Sequence, residues 1–135
     1  MYREESLVDR VAEITNGEGV PVVYDSVGKD TYEASLDCLA PLGTFISFGS
    51  ASGPVESVSP ATLAAKGSLY FTRPTLMTYT AKPEDLQASA KELIDVVTSG
   101  AVNIAVDQTY PLENARQAHE DLEGRKTTGS TVLTV

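Results

Sequence analysis

Strand-like and helix-like stretches alternate along this chain, each closed by glycine, proline or asparagine, and that alternation constrains the fold more than any other feature. Strands separated by crossover-length helices pair in parallel rather than as hairpins, within a sheet that the helices cover. From Glu4 the residues Leu7, Val8, Val11 and Ile14 fall at helical spacing, and Asn16-Gly17 supplies a left-handed stop. Val20–Asp25 reads as a β-branched strand in which Pro21 is tolerable only near the start. Asp30-Thr-Tyr-Glu33 has the form of a capping box, with Tyr32, Leu36 and Leu39 on one helical face and Pro41 and Gly43 as the stop. Thr44–Phe48 is the next expected strand, closed by Gly49–Gly53. Ser59-Pro60 opens a short helix running to Lys66, and Gly67 leads into a strand over Ser68–Thr72.

In the second half, Pro83 opens a longer helix with Leu86, Ala90, Leu93, Ile94 and Val97 as its expected buried stripe, capped by Gly100. Val102–Tyr110 reads as strand, Leu112–Leu122 as helix and Thr131–Val135 as a last strand. The fold class expected is α/β with a doubly wound parallel sheet, in which ligands bind beyond the carboxyl ends of the strands. Three successive strands end in small or flexible residues, at Asp25–Gly28, Phe48–Ala51 and Thr72–Pro74. Ordinary βα turns have the same composition, so this pattern alone leaves a ligand site and a plain turn about equally open.

Composition narrows the function classes. The chain has 135 residues and a formal charge of −9, which sets phosphate backbones and anionic membranes against it as partners. One cysteine, Cys38, and one histidine, His119, can form neither an internal disulfide nor a Cys/His zinc centre within one chain. A single cysteine also fits a reducing, cytoplasmic setting. Cys38 reads as a small buried apolar residue, His119 as a packing or solvent-facing helix residue, and Glu84-Asp85 as charges that offset a helix dipole. No Ser/His/Asp spacing makes a credible triad. Gly-x-Gly-x-x-Gly between a strand and a helix, the dinucleotide fingerprint, does not occur; Gly49-Ser-Ala-Ser-Gly53 is no substitute, its glycines being differently spaced. The first reading is therefore half of a nucleotide-binding fold.

Several runs carry a more specific likeness: Tyr2-Arg-Glu-Glu-Ser-Leu-Val, Val22-Val-Tyr-Asp-Ser-Val-Gly28, Ser35-Leu-Asp-Cys-Leu39, Ser47-Phe-Gly-Ser-Ala-Ser-Gly53, Lys66-Gly-Ser-Leu-Tyr-Phe-Thr-Arg-Pro74, Tyr110-Pro-Leu and Leu122-Glu-Gly-Arg-Lys-Thr-Thr-Gly129. In this order they resemble the zinc-free quinone oxidoreductases, the zeta-crystallin-like branch of the medium-chain dehydrogenase/reductase superfamily. The resemblance covers the whole chain and matches the carboxyl-terminal portion of that family. It implies the second half of a Rossmann-type sheet over residues 1–100, without the glycine-rich first βαβ unit. Residues 101–135 would return to a catalytic domain that this chain lacks.

What the resemblance implies for function is hydride transfer from NADPH to quinones or other small electrophilic carbonyl compounds, with no catalytic residue in this portion and no turnover by this chain alone. Tyr2 is expected near the adenosine 2′-phosphate. Ser26 and Val27 would line the cofactor groove, Phe48, Gly49, Ser50 and Ala51 would hold the cofactor at the next strand end, and Phe71, Thr72 and Arg73 would meet its nicotinamide end. Arg125 would bring positive charge from the tail. Ser50 departs from the amide side chain usual in the family. The strand Ser68–Thr72 is expected to pair with its twin in a homodimer, which edge-strand physics supports independently. Two rival readings stand beside this one: a non-enzymatic module that self-associates or binds a partner, and a fragment of a related enone or alkenal reductase.

Overall fold

The computed structural model describes residues 5–135, and Tyr2 therefore lies outside the described residues. The chain divides into two units, Met1–Tyr79 and Thr80–Val135. In the first unit, helix α1 (Leu7–Thr15) starts at Ser6, whose hydroxyl accepts from the Asp9 N–H at 3.2 Å, and ends at Asn16 with φ 53°. Strands β1 (Val20–Asp25), β2 (Leu39–Ser47) and β3 (Tyr70–Thr72) form a sheet in the order β1-β2-β3, parallel throughout. Helix α2 (Tyr32–Asp37) crosses from β1 to β2, and α3 (Pro60–Ala65) precedes β3. The Ser59 hydroxyl caps α3 by accepting from the Thr62 N–H. A short helix α4 (Leu76–Tyr79), which periodicity does not announce, closes the unit.

Two local expectations are corrected. Leu39 belongs to β2 and not to the preceding helix, because the Val20 N–H donates to the Cys38 carbonyl and Val20 pairs with Leu39. Register then jumps, with Val22 opposite Thr44, across Pro21 on one strand and Ala40–Gly43 on the other. Pro41 and Gly43 thus sit in a bulge, with Leu42 at φ 63°, instead of ending a helix. Nor does the capping box form. The Thr31 hydroxyl donates to Asp25 Oδ2 at 2.7 Å and caps nothing, while the Asp30 N–H donates to Ser52 Oγ at 3.0 Å.

The core of this unit is small: Tyr32, Leu36, Leu39, Phe45 and Leu69, with Val20, Val23, Val55, Leu63 and Phe71 packed at its margin. Phe45 is fully buried at the centre. Tyr32 meets it edge-on at 5.7 Å between ring centres, and Phe71 stacks on it at 5.4 Å. Lys66, at the end of α3, pairs with Asp37 and Glu33 of α2 and fastens the two helices.

The second unit holds α5 (Pro83–Thr98), a parallel pair β4 (Val106–Pro111) and β5 (Ser130–Thr134), and α6 (Ala115–Glu123) entered through a 3-10 turn over Leu112–Asn114. β4 begins four residues later than periodicity suggests. The apolar stripe of α5 is correctly spaced but uncovered: Leu86, Leu93 and Ile94 are all more than half exposed. Among the described residues no helix is long and apolar enough to cross a membrane.

Candidate functional site

Parallel pairing puts the carboxyl ends of β1, β2 and β3 on one edge of the sheet, with Asp25 opposite Ser47 and Ile46 opposite Thr72. The loops after β1 and β2 continue the ladder beyond the strands. Phe48 N–H donates to Asp25 O at 2.9 Å, Ala51 N–H to Ser26 O at 3.1 Å, Ser52 N–H to Val27 O at 2.8 Å and Lys29 N–H to Gly53 O at 3.0 Å. The Ser52 hydroxyl also donates to Val27 O at 2.8 Å. Two glycines make this approach possible. A Cβ on Gly49 would stand 2.4 Å from Ser26 O, and one on Gly28 would stand 2.4 Å from Gly53 O. Gly28 also holds φ 90°, which side-chain-bearing residues rarely adopt.

Asp25 organises this edge from below. Its carboxylate is buried, yet each oxygen accepts two hydrogen bonds: Oδ1 from the N–H groups of Val27 and Gly28, both at 2.8 Å, and Oδ2 from the Thr31 and Ser35 hydroxyls at 2.7 and 2.8 Å. Burial by itself raises this carboxyl's pKa, and the four donors together outweigh it and hold the pKa below 3.8. The residue that fixes the turn is thus one the sequence left unremarked. An aspartate directly after a strand and before Ser-Val-Gly was the available signal.

Six of the expected site residues lie together here: Ser26 and Val27 after β1, and Phe48, Gly49, Ser50 and Ala51 after β2. Phe48 is half exposed and meets Tyr24 edge-on at 6.4 Å. Phe71 and Thr72 belong to β3, and Phe71 commits one ring face to Phe45 in the core. Arg73 follows β3, with its guanidinium donating to Pro74 O at 2.9 Å. An open cleft of about 300 Å³ runs along β1 between α1 and α2; Leu7, Val11 and Val23 form its apolar wall, and Ser26 and Val27 stand at its mouth.

Arg125 belongs to the second unit, in the loop between α6 and β5, where it adopts φ 58°. His119 is exposed on α6, and Cys38 is buried, with burial pushing its thiol pKa up. Among the described residues no three or more His, Cys, Asp or Glu side chains gather closely enough to hold a metal ion. These residues do not fit a zinc centre.

The match to known proteins is extensive. Residues 1–133 fit the family model described as zinc-binding dehydrogenase. A quinone oxidoreductase of Pseudomonas aeruginosa is 54% identical over 132 residues, covering 98% of this chain and 41% of the relative. A 2-haloacrylate reductase of a Burkholderia species is 42% identical over 133 residues, covering 98% of this chain and 40% of the relative. The crystal structure of Escherichia coli quinone oxidoreductase complexed with NADPH superposes with a TM-score of 0.90 at 50% identity, over all of this chain and 42% of that one. This chain thus spans about two-fifths of the length of the relatives it matches. On the family match, the likeness in sequence and the shared parallel α/β architecture, it belongs to the zinc-binding dehydrogenase family within the medium-chain dehydrogenase/reductase superfamily, as a stretch corresponding to the carboxyl-terminal part of quinone oxidoreductases.

Proposed function

We propose that this chain supplies the cofactor-holding part of an NADPH-dependent quinone oxidoreductase, residues 1–100 forming the cofactor portion and residues 101–135 returning to a catalytic domain. The observation that carries this reading is the pair of backbone-zipped strand ends at Ser26–Gly28 and Phe48–Gly53. At the carboxyl edge of a parallel sheet such a pair offers a rigid, nearly side-chain-free surface for a flat ligand. Support for NADPH as that ligand comes from the Escherichia coli relative, whose crystal structure contains it. When bound, NADPH supplies the hydride; this chain orients the cofactor and excludes water around it. Gly49 lets the backbone approach closely, and the exposed Phe48 ring gives an apolar face to lie against. Ser26 and Val27 line the groove, Ser50 and Ala51 close its far side, and Thr72 and Arg73 reach the nicotinamide end with Phe71 bracing them from the core. Tyr2 and Arg125 supply the contacts to the 2′-phosphate, Arg125 by charge.

The test is a calorimetric titration of the chain with NADPH and with NADH. The expected result is NADPH bound about tenfold more tightly or better, a difference of about 1.4 kcal/mol. Binding of neither cofactor overturns the reading in favour of a non-enzymatic module, for which the uncovered Leu86, Leu93 and Ile94 stripe is the natural association surface. The hydride acceptor in the whole enzyme is a quinone or another small electrophilic carbonyl compound. The 42% identity to a 2-haloacrylate reductase favours including activated alkenes.

The same reading makes β3 a dimer edge in a cytoplasmic protein. β3 pairs only with β2, and Tyr70 on it is 61% exposed. Joined to its twin across a two-fold axis, it forms one continuous sheet. Tyr70→Lys places two like charges near that axis, and sedimentation should show the mass fall from dimer to monomer. A wild-type chain that sediments as a monomer refutes the dimer.

A further inference from the structure

The loop that carries Arg125 is held at both ends and free in the middle. On its α6 side Asp121 collects four contacts. Asp121 Oδ2 accepts from the Tyr110 hydroxyl at 3.0 Å, and Oδ1 accepts from Lys126 Nζ at 2.9 Å and Gln117 Nε2 at 3.0 Å. The Asp121 carbonyl accepts the Lys126 N–H at 2.9 Å. On the β5 side the Gln108 amide pairs with the Thr128 backbone, its Nε2 donating to Thr128 O and its Oε1 accepting the Thr128 N–H at 3.3 Å. The Thr128 hydroxyl donates to Asp107 Oδ2 at 2.8 Å.

Between these anchors Arg125 sits at φ 58°, a conformation that costs a non-glycine residue about 1 kcal/mol or more. Its N–H donates to Leu122 O at 3.0 Å, and the guanidinium makes no hydrogen bond or ion pair among the described residues. A strained backbone that presents an unpaired cation, in a chain of net charge −9, is a device for holding that cation toward something outside the loop. Lys126, its neighbour, is already spent on Asp121.

We propose that Asp121, with Tyr110 behind it, is a positioning residue that presents Arg125 to the 2′-phosphate and so sets the preference for NADPH over NADH. Asp121 touches no cofactor in this account; it works by keeping the loop folded and Lys126 turned away, which leaves one cation aimed outward. The hydrogen bond from Lys126 comes first among the interactions that hold the Asp121 carboxyl below 3.8, so the anchor stays charged throughout the neutral range. This inference rests on the cofactor reading given above.

The test compares both cofactors by calorimetry on the wild-type chain, Arg125→Ala, Asp121→Asn and Tyr110→Phe. NADH has no 2′-phosphate, so its affinity reports the integrity of the remaining site. The expected result is that Arg125→Ala and Asp121→Asn each lower NADPH affinity about tenfold while NADH affinity stays within a factor of two. Tyr110→Phe, which loses one hydroxyl and keeps the ring, should do so to a lesser degree. Equal weakening toward both cofactors in Asp121→Asn overturns the inference, because that is what general loss of structure produces. An unchanged preference in Asp121→Asn beside a lost one in Arg125→Ala also overturns it and leaves the cofactor reading intact. A wild-type chain that binds neither cofactor, or binds both equally, overturns inference and reading together.

Discussion

Replacing Asp25 with alanine should destabilise the first unit by about 3 kcal/mol or more, measured by denaturant unfolding. Four donors at 2.7–2.8 Å lose their acceptor at once. The Gly28 N–H and the Ser35 hydroxyl are then buried with nothing to bond. Set against a typical total of about 5–15 kcal/mol, that is a large share. Asp25→Asn should cost clearly less. The amide oxygen can still accept from Val27 and Gly28, and the two hydroxyls can rotate to accept from its NH₂. The two variants also separate the effects of charge and shape through pH. In the folded chain the Asp25 carboxyl titrates below 3.8, so the folded state binds fewer protons than the unfolded one in that range. Its stabilising contribution is complete above 3.8 and is lost as pH falls through the lower folded value. Acid unfolding of Asp25→Asn should therefore show a shallower decline below pH 4 than wild type. An equally steep decline would show that the acid sensitivity arises elsewhere.

Phe45→Ala should cost about 3–5 kcal/mol and leave little folded protein at 37 °C. Phe45 is the fully buried centre of a five-residue cluster and contacts two other rings. In so small a core the neighbours cannot close the void without moving β2 itself. Phe45→Leu, which keeps most of the volume, should lose only about 1–2 kcal/mol. If alanine proves no worse than leucine in thermal unfolding, Phe71 and Tyr32 have collapsed into the gap and the core is more plastic than its packing implies.

Both effects start from residues whose local setting was easy to read and whose partners were not. The strand ending at Asp25 and the strand through Phe45 follow from β-branched and aromatic runs between turn residues, and their parallel pairing follows from the helices between them. The likeness to quinone oxidoreductases was carried by side chains at strand ends and holds over the whole chain. What local pattern misses is competition at a distance. Asp30–Glu33 has the form of a capping box, yet Asp25 draws Thr31 away from that role, and Ser52, twenty-two residues further on, takes the Asp30 N–H. Pro41 and Gly43 look like a helix stop because a long bulge has no periodic signature; only the pairing of Val20 with Leu39 reveals it. The α5 stripe shows the converse: periodicity identified the apolar face correctly but could not say whether anything within this chain would cover it. In the second unit the anchors of Arg125 come from β4, α6 and the residues before β5, a convergence that only tertiary structure displays.

The meeting of Ser26 with Gly49 is main chain against main chain, and this divides the positions around it into two evolutionary kinds. Gly28 and Gly49 are locked, since any side chain there collides with a carbonyl. Ser26, Phe48, Ser50 and Ala51 contribute only backbone to the zipper, so their side chains can be exchanged at little folding cost. A descendant could therefore recast the ligand preference of this edge by point substitution while inheriting its geometry unchanged. Serine at position 50, where the family usually carries an amide, fits a position of that exchangeable kind.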